Sequence, residues 1–444
     1  MKNDRSLTQG DFHLVHPNAA GIDVASEMHF VAVPASRDPQ PVRKFGSFTQ
    51  DLHELARWLK KCQIDTVAME STGIYWIQLF LILEEYGIEV FLVNARHIKN
   101  VSGRKSDVQD CQWIQQLHSY GLLRASFQPD LFGRELRTYM RHRKNLTQSY
   151  AMQVQLMQKA FEQMNIKLHN VLTDITGKSG VTIIEAILSG ARDAKYLASL
   201  ADSRVKAPMA EIIKSLEGNW RNEHLFELRQ AYELYQFFKL KIRECDHQIE
   251  HTLQQQDNSS SNQDGDDTTR KQRGKNTFDF NASVYLKKIL GVDITGIFGI
   301  SEVSAVQIIS ETGIDMSKWA TQKHFVSWLN LAPNNRISGG KQLKSKKIKK
   351  KNKAGQAFLI AATTLLRSNH WLGAFMRRIS ARHGAPVAIK ATARKIALIF
   401  YKMIKEQTEF NPLPIETYNQ LFKERKLQYI KNQASKLGFQ LIQV

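Results

Sequence analysis

Apolar residues recur along this chain with two different spacings, and the change from one to the other marks its organisation. Between residues 20 and 33, AGIDVASEMHFVAV is dense in apolar and β-branched residues, and DTVAME (65–70) and IEVFLV (88–93) are further short apolar runs. Between these runs, DLHELARWLKKC (51–62) and IYWIQLFLILEEYG (74–87) carry apolar positions at helical spacing. Short strands alternating with amphipathic helices predict an α/β domain whose strands are at least partly parallel. Ser106 with Gln109 forms an N-terminal capping pair, which predicts a further helix starting near Ser106.

From about Pro129 the pattern becomes one of long charged helices, interrupted at Gly177, Gly180 and Pro208. Across Arg221 to Gln256 the residues Leu225, Leu228, Tyr232, Tyr235, Phe238, Ile242, Cys245, Ile249 and Leu253 recur at steps of three and four, a coiled-coil-like seam. That seam fits a helix packed on its own domain, a hairpin coiled coil, or an oligomerising one. The stretch 254–276, QQQDNSSSNQDGDDTTRKQRGKN, has no apolar residue and is read as a disordered linker, since burial cannot offset its ordering entropy. Val284 to Phe410 then reads as a compact, mostly helical basic domain. Within it, ITGIFGISEVSAVQIISETG (294–313) sets Gly296 and Gly299 in a turn before a helix face of Ala305, Ile308 and Ile309. This resembles a helix-hairpin-helix element offering turn amides to a phosphate, and a purely structural helix turn fits the same pattern.

Charge changes the picture. The net +20 is not spread evenly: from Arg270 onward there are 31 basic and 9 acidic residues, so the back of the chain carries +22 and the rest −2. A cationic excess of this kind favours a polyanion, because neutralising phosphates releases condensed counterions. Nucleic acid is the expected partner rather than a membrane, since no apolar run of about 18 residues or more is present. The start of the sequence lacks a signal-peptide apolar stretch, and Cys62, Cys111 and Cys245 are odd in number and far apart. A reducing cytoplasm, with neither a disulfide framework nor a structural zinc site, is expected.

Four carboxylates suggest chemistry. Asp23 follows Gly21 on the first predicted strand, Glu70 ends TVAME, and Asp107 and Asp110 lie three apart, on one face of a helix. Carboxylates of this kind suit a hard cation, Mg²⁺ or Mn²⁺ in its place, which takes oxygen ligands and can polarise a phosphate. N-capping and surface charge account for such acids equally well when each is taken alone. Arg104 and Lys105 stand beside them in SGRKSD, as expected of a site that binds metal and phosphate together. Far downstream, NNRISGGKQLKSKKIKKKNK (334–353) sets Ser338 between Arg336 and Lys341, with Gly339 and Gly340 allowing backbone to approach a phosphate. Lys344, Lys346, Lys347, Lys349 and Lys350 follow, and Arg377 and Arg378 lie on a later amphipathic helix. These basic residues are candidate nucleic-acid contacts; solvated helix faces and an ordinary Ser-Gly-Gly loop are the plainer readings.

Taken together, GIDVAS, AMESTGIYW, ARHIKNVSGRKSDVQDCQWI, RISGGK and ATARKIALIFYKM resemble the DEDD transposases of bacterial insertion sequences, the family of bridge-RNA-guided recombinases. The resemblance runs from about Ala20 to Phe410 and includes the Ala361-Ala362 and Arg377-Arg378 pairs. It implies an RNase H-like (RuvC-type) α/β N-terminal domain, a helical coiled-coil middle and a mostly α C-terminal transposase domain. The corresponding spans are a lead at 1–19, then 20–128, 129–253, a linker at 254–277, 278–410 and a helical tail at 411–444. It also implies that Asp23, Glu70, Asp107 and Asp110 are the catalytic, metal-binding acids and that Ser338 is the nucleophile, forming a 5′-phosphoserine link and working through a Holliday junction. The implied partners are donor and target DNA, a structured non-coding guide RNA, and further copies of the chain, a dimer assembling to a tetramer with a composite active site. The resemblance also implies a bacterial, nucleoid-associated protein.

Three other readings compete. A junction-resolvase-like nuclease would use the acids alone, with metal-activated water as nucleophile. A sugar-kinase or actin-like ATPase would share the fold but needs a second Gly-rich phosphate loop, which the sequence lacks. A DNA-binding protein without catalysis would need only the charge asymmetry.

Overall fold

A computed structural model describes residues 13–94, 107–256, 276–333, 336–339, 341–343, 352–440 and 442. The chain divides into two compact units, Met1–Gln128 and Pro129–Val444.

The first unit is built on a mixed five-stranded sheet in the order β3-β2-β1-β4-β5, from β1 (Ala19–Val24), β2 (Met28–Ala32), β3 (Val42–Gly46), β4 (Thr66–Glu70) and β5 (Glu89–Val93). β1 pairs antiparallel with β2 and β2 with β3, while β1 and β4, and β4 and β5, run parallel. The stretch 20–33 is thus two strands joined by a tight turn. One face of the sheet carries Ile22, Val24, Val67 and Met69, packed against Leu55 and Leu59 of α1 (Thr49–Lys61) and Leu79 and Leu83 of α2 (Trp76–Glu85). Each of these buried side chains contributes on the order of 1.5–3 kcal/mol of transfer free energy. The other face is covered by α3 (Asp107–Ser119), where Ala68, Val93, Ile114 and Leu123 form a second, smaller cluster. This mixed sheet, helical on both faces, is consistent with the RNase H-like domain that the resemblance implies.

The second unit is almost wholly helical. α4 (Leu131–Gln163) and α9 (Asn222–Gln256) lie antiparallel, as Thr252 bonding Glu135 near one end and Tyr235 bonding Tyr150 further along require. Four short helices bridge them: α5 (Leu168–Val171), α6 (Lys178–Leu188), α7 (Ala194–Ser199) and α8 (Met209–Leu216). Phe161, Ile183, Ile184, Leu197, Ile212, Leu228 and Tyr235 share one core there. The seam read from the sequence is therefore used within the chain: Leu228, Tyr232, Tyr235, Cys245, Ile249 and Leu253 are buried. Leu225 and Phe238 lie nearer the surface.

Residues 254–256, expected in the linker, continue α9, and residues 257–275 lie outside the described residues. At the far side, Arg143 of α4 holds the returning chain. Its guanidinium pairs with buried Asp246, donates to Asn276 Oδ1 (3.1 Å) and the Thr277 carbonyl (3.0 Å), and lies over the Phe278 ring. Removing either partner of such a buried pair strands a charge, at a cost of about 3–5 kcal/mol.

The remaining α-helices and strands are α10 (Ala282–Leu290), α11 (Glu302–Thr312), α12 (Gln322–Trp328), β6 (Arg336–Ser338), β7 (Lys341–Leu343), α13 (Lys353–Thr363), α14 (Trp371–His383), α15 (Ala385–Glu406) and α16 (Ile415–Lys436). Gly299, in the turn read as helix-hairpin-helix, has a φ of 87°, and a Cβ there would stand 2.5 Å from the Ala361 carbonyl oxygen. That turn packs its backbone against α13.

Candidate carboxylate face and serine hairpin

The carboxylate site follows from strand alternation and one close approach. On β1, Ile22 and Val24 point into the α1–α2 core, so Gly21 and Asp23 point the other way, toward α3. On β4, Val67 and Met69 take the first face, leaving Ala68 and Glu70 toward α3. The parallel register pairs Gly21 with Ala68 and Ile22 with Met69, so the next step along both strands brings Asp23 and Glu70 side by side on the α3 face.

Gly21 fixes how α3 lies there. A Cβ at Gly21 would stand 2.2 Å from the Gln115 backbone nitrogen and 2.4 Å from the Cys111 carbonyl oxygen, so the helix backbone rests directly on the strand. Gln115 also donates from Nε2 to the Ala19 carbonyl (3.4 Å), which sets the direction: as α3 is followed back toward its first turn, it moves along β1 toward Asp23. From Gly21 to Asp23 the strand advances about 7 Å, and from Cys111 back to Asp107 the helix advances about 6 Å, so the two travel in step.

Cys111 reports the result electrostatically. Its buried thiol is pushed up to about 12, first by burial and then by the Asp23 carboxylate, with Asp110 adding to it. Two carboxylates thus bear on one point. Asp23, Glu70 and Asp110 are half-buried and Asp107 is exposed. The donor set is all carboxylate oxygen, which fits a hard divalent cation. Among the described residues no three His, Cys, Asp or Glu side chains stand close enough together to hold one. Arg104 and Lys105 lie outside the described residues.

Ser338 is the last residue of β6 and pairs with Lys341, the first of β7. The antiparallel ladder Arg336–Leu343, Ile337–Gln342, Ser338–Lys341 leaves a two-residue tip. Such a tip demands positive φ, which glycine supplies without strain; Gly339 has a φ of 54°. Ser338, Gly339 and Lys341 are exposed, and no described residue lies within 4 Å of where a Cβ on Gly339 would be. Gly340 and the lysines Lys344, Lys346, Lys347, Lys349 and Lys350 lie outside the described residues, and of Arg336 only the backbone is described. The segment between α12 and α13 is pinned at its root. Asn352 caps α13 by accepting from the Gly355 amide (2.9 Å) and donates to the Trp328 carbonyl (3.1 Å), while a Cβ on Gly355 would meet the Leu329 carbonyl oxygen at 2.2 Å.

Arg377 and Arg378 are engaged within the fold. Arg377 donates to the Leu366 (3.0 Å) and Ser368 (2.7 Å) carbonyls, and the Arg378 guanidinium stacks on Tyr418 (4.3 Å) and Phe422 (3.8 Å) of α16. The sequence reading did not single out Gly21 as the seat of α3 or Cys111 as the group between two acids. A glycine in the middle of an otherwise apolar strand was the available signal for the first.

Compared with known families, residues 20–166 match the DEDD transposase model of IS110 type, described as Transposase. Residues 293–377 match a second model, described as Transposase IS116/IS110/IS902 family. The first span contains Asp23, Glu70, Asp107 and Asp110, and the second contains Ser338 and Lys341. No curated protein matches the chain.

Proposed function

The chain belongs to the DEDD transposases of IS110 type, and from that premise we propose that it moves an insertion sequence by RNA-guided recombination through a covalent 5′-phosphoserine link at Ser338. The family makes it a DNA-recombining enzyme and implies a divalent metal. The further steps are our reading. Asp23, Glu70, Asp107 and Asp110 would together hold Mg²⁺ once they close around it, and the bound ion would supply Lewis-acid polarisation of the scissile phosphate. Ser338 attacks phosphorus, the 3′-oxygen leaves, and the phosphodiester energy is kept in the protein–DNA bond, so rejoining needs no outside energy source. Water as nucleophile would only hydrolyse. A Holliday junction links the two rounds of exchange, a structured guide RNA selects donor and target, and copies of the chain assemble so that the acids of one serve the serine of another.

The observation that carries this reading is the alignment of Asp23 and Glu70 on one sheet face beneath the start of α3, where Asp23 and Asp110 bear jointly on Cys111. The exposed position of Ser338 at a glycine tip opposite Lys341 suits a group that must reach a strand held elsewhere. A serine hydroxyl is a weak nucleophile unless a base, metal or cationic pocket assists it, and Lys341 is the nearest described cation in the ladder. The test is Ser338→Ala on supercoiled donor DNA with guide RNA and Mg²⁺. Both strand cleavage and protein–DNA adducts are expected to vanish. Cleavage that persists without adducts would replace this mechanism by hydrolysis with metal-activated water.

A further inference from the structure

A pocket of about 340 Å³ opens between α4, α11 and α13, wholly inside the second unit. Its wall is cationic. Arg141 and Lys144 stand three residues apart on one face of α4, and Lys353 is the first residue of α13. The acid facing them is Glu311 of α11, and it is already engaged. Arg141 Nη2 donates to both its oxygens (2.9 and 3.1 Å), and Arg137 Nε lies 3.2 Å from Oε2. Arg143, on the inner wall, is taken by Asp246. Lys144 and Lys353 have no hydrogen-bond or ion-pair partner among the described residues.

These charges act on one another. Burial, then Arg141, holds the Lys353 ammonium below the usual lysine range; Glu311 opposes this and Lys144 adds to it. The amino end of α13, where backbone N–H groups point outward, adds positive potential at the same place. Gln307 and Gln356 supply uncharged amide donors in the lining. Cations gathered with one neutralising carboxylate, beside amide donors in an open pocket, suit a tetrahedral oxyanion better than an apolar or cationic ligand. The pocket also adjoins the root of the Ser338 hairpin, since Lys353 follows Asn352, which ties that root to Trp328.

We infer that this pocket seats a backbone phosphate of a nucleic-acid strand bound by the enzyme, and so anchors that strand at the base of the serine hairpin. The inference rests on the transposase reading for the identity of its polyanion. Duplex DNA and guide RNA offer the same phosphodiester, and the experiment separates them.

The full-length protein and the Lys144→Gln/Lys353→Gln variant are titrated with labelled duplex DNA and, separately, labelled single-stranded RNA across a range of salt. Both lysines are exposed, so a native circular dichroism spectrum is expected. For the probe that uses the pocket, the slope of log affinity against log salt falls by about 1 to 2, and affinity at low salt falls about tenfold or more. Loss with DNA alone assigns the site to DNA, and loss with RNA alone assigns it to RNA. The Lys144→Arg/Lys353→Arg variant, which keeps the charges, retains the wild-type slope. Unchanged slopes for both probes with a natively folded double variant overturn the inference, as they would if the pocket held an acidic protein segment. That outcome leaves the Ser338 mechanism standing, whereas adducts that survive Ser338→Ala defeat the mechanism and leave the pocket standing.

Discussion

The carboxylate face and the serine hairpin are both organised by a glycine, and the two glycines do opposite things. Gly21 is needed because there is no room: a helix backbone occupies the space its side chain would fill. Gly339 is needed because of its φ of 54°, with no described residue within 4 Å of where a Cβ would be. One region is thus fixed by core packing before any ligand arrives, and the other stands exposed at a turn. A site for metal and charge gains from rigidity, since donors held in place pay no reorganisation cost when the reaction begins. A nucleophile that must reach a bound strand gains from exposure.

That contrast is open to breaking. Glu70→Gln, which keeps shape and removes charge from the rigid face, is expected to lower recombination by about 10³-fold, or about 4 kcal/mol of barrier, in a plasmid recombination assay. The hairpin and native thermal unfolding should be untouched. Gly21→Ala is expected to cost about 3 kcal/mol or more, because the atoms in its way are backbone and the whole helix must lift. Chemical denaturation of the full chain measures this, and the variant should also lose affinity for Mg²⁺ as α3 moves away from Asp23.

A pH change probes the other end of the same helix. His118 of α3 is fully buried, with Nε2 3.0 Å from Thr66 Oγ1, and burial together with His16 pulls it down to about 4. An unperturbed histidine titrates near roughly 6.5, so between these values the unfolded chain binds a proton that the folded chain refuses. Stability is therefore full above about pH 6.5 and falls as pH drops toward 4, by about 3 kcal/mol. Hydrogen exchange of the β4 and α3 amides should quicken over that window, and His118→Gln should flatten the dependence. The smallest effect belongs to the hairpin. Gly339→Ala forces an L-residue into the left-handed region at a cost of about 1 kcal/mol, with no steric clash. Global unfolding should not register it, while covalent adduct formation should slow modestly.

How much of this was legible in the sequence follows the same division. The runs of β1, β4 and β5 and the helices α1 and α2 announced themselves because buried parallel strands and amphipathic helices have strong patterns. β3 did not, because Val42–Gly46 is an edge strand with exposed Lys44 and one buried residue, Phe45. The four acids were legible as residues, but their common face became visible only with the register of β1 on β4. Ser338 and its glycines read directly as a turn. The cationic pocket was invisible, since Arg141 and Glu311 lie 170 positions apart and nothing local marks either. The buried Arg143–Asp246 pair, 103 positions apart, was hidden for the same reason.

The central claim is that a serine on the exposed hairpin, and not water at the carboxylate face, attacks the DNA. It is tested most directly by quenching a wild-type reaction with denaturant, digesting protein and DNA, and mapping any nucleotide-bearing peptide by mass spectrometry. The account predicts a 5′-phosphonucleotide on Ser338 that disappears when Mg²⁺ is chelated. Free 5′-phosphate ends with no modified peptide, or a nucleotide on another residue, would contradict it.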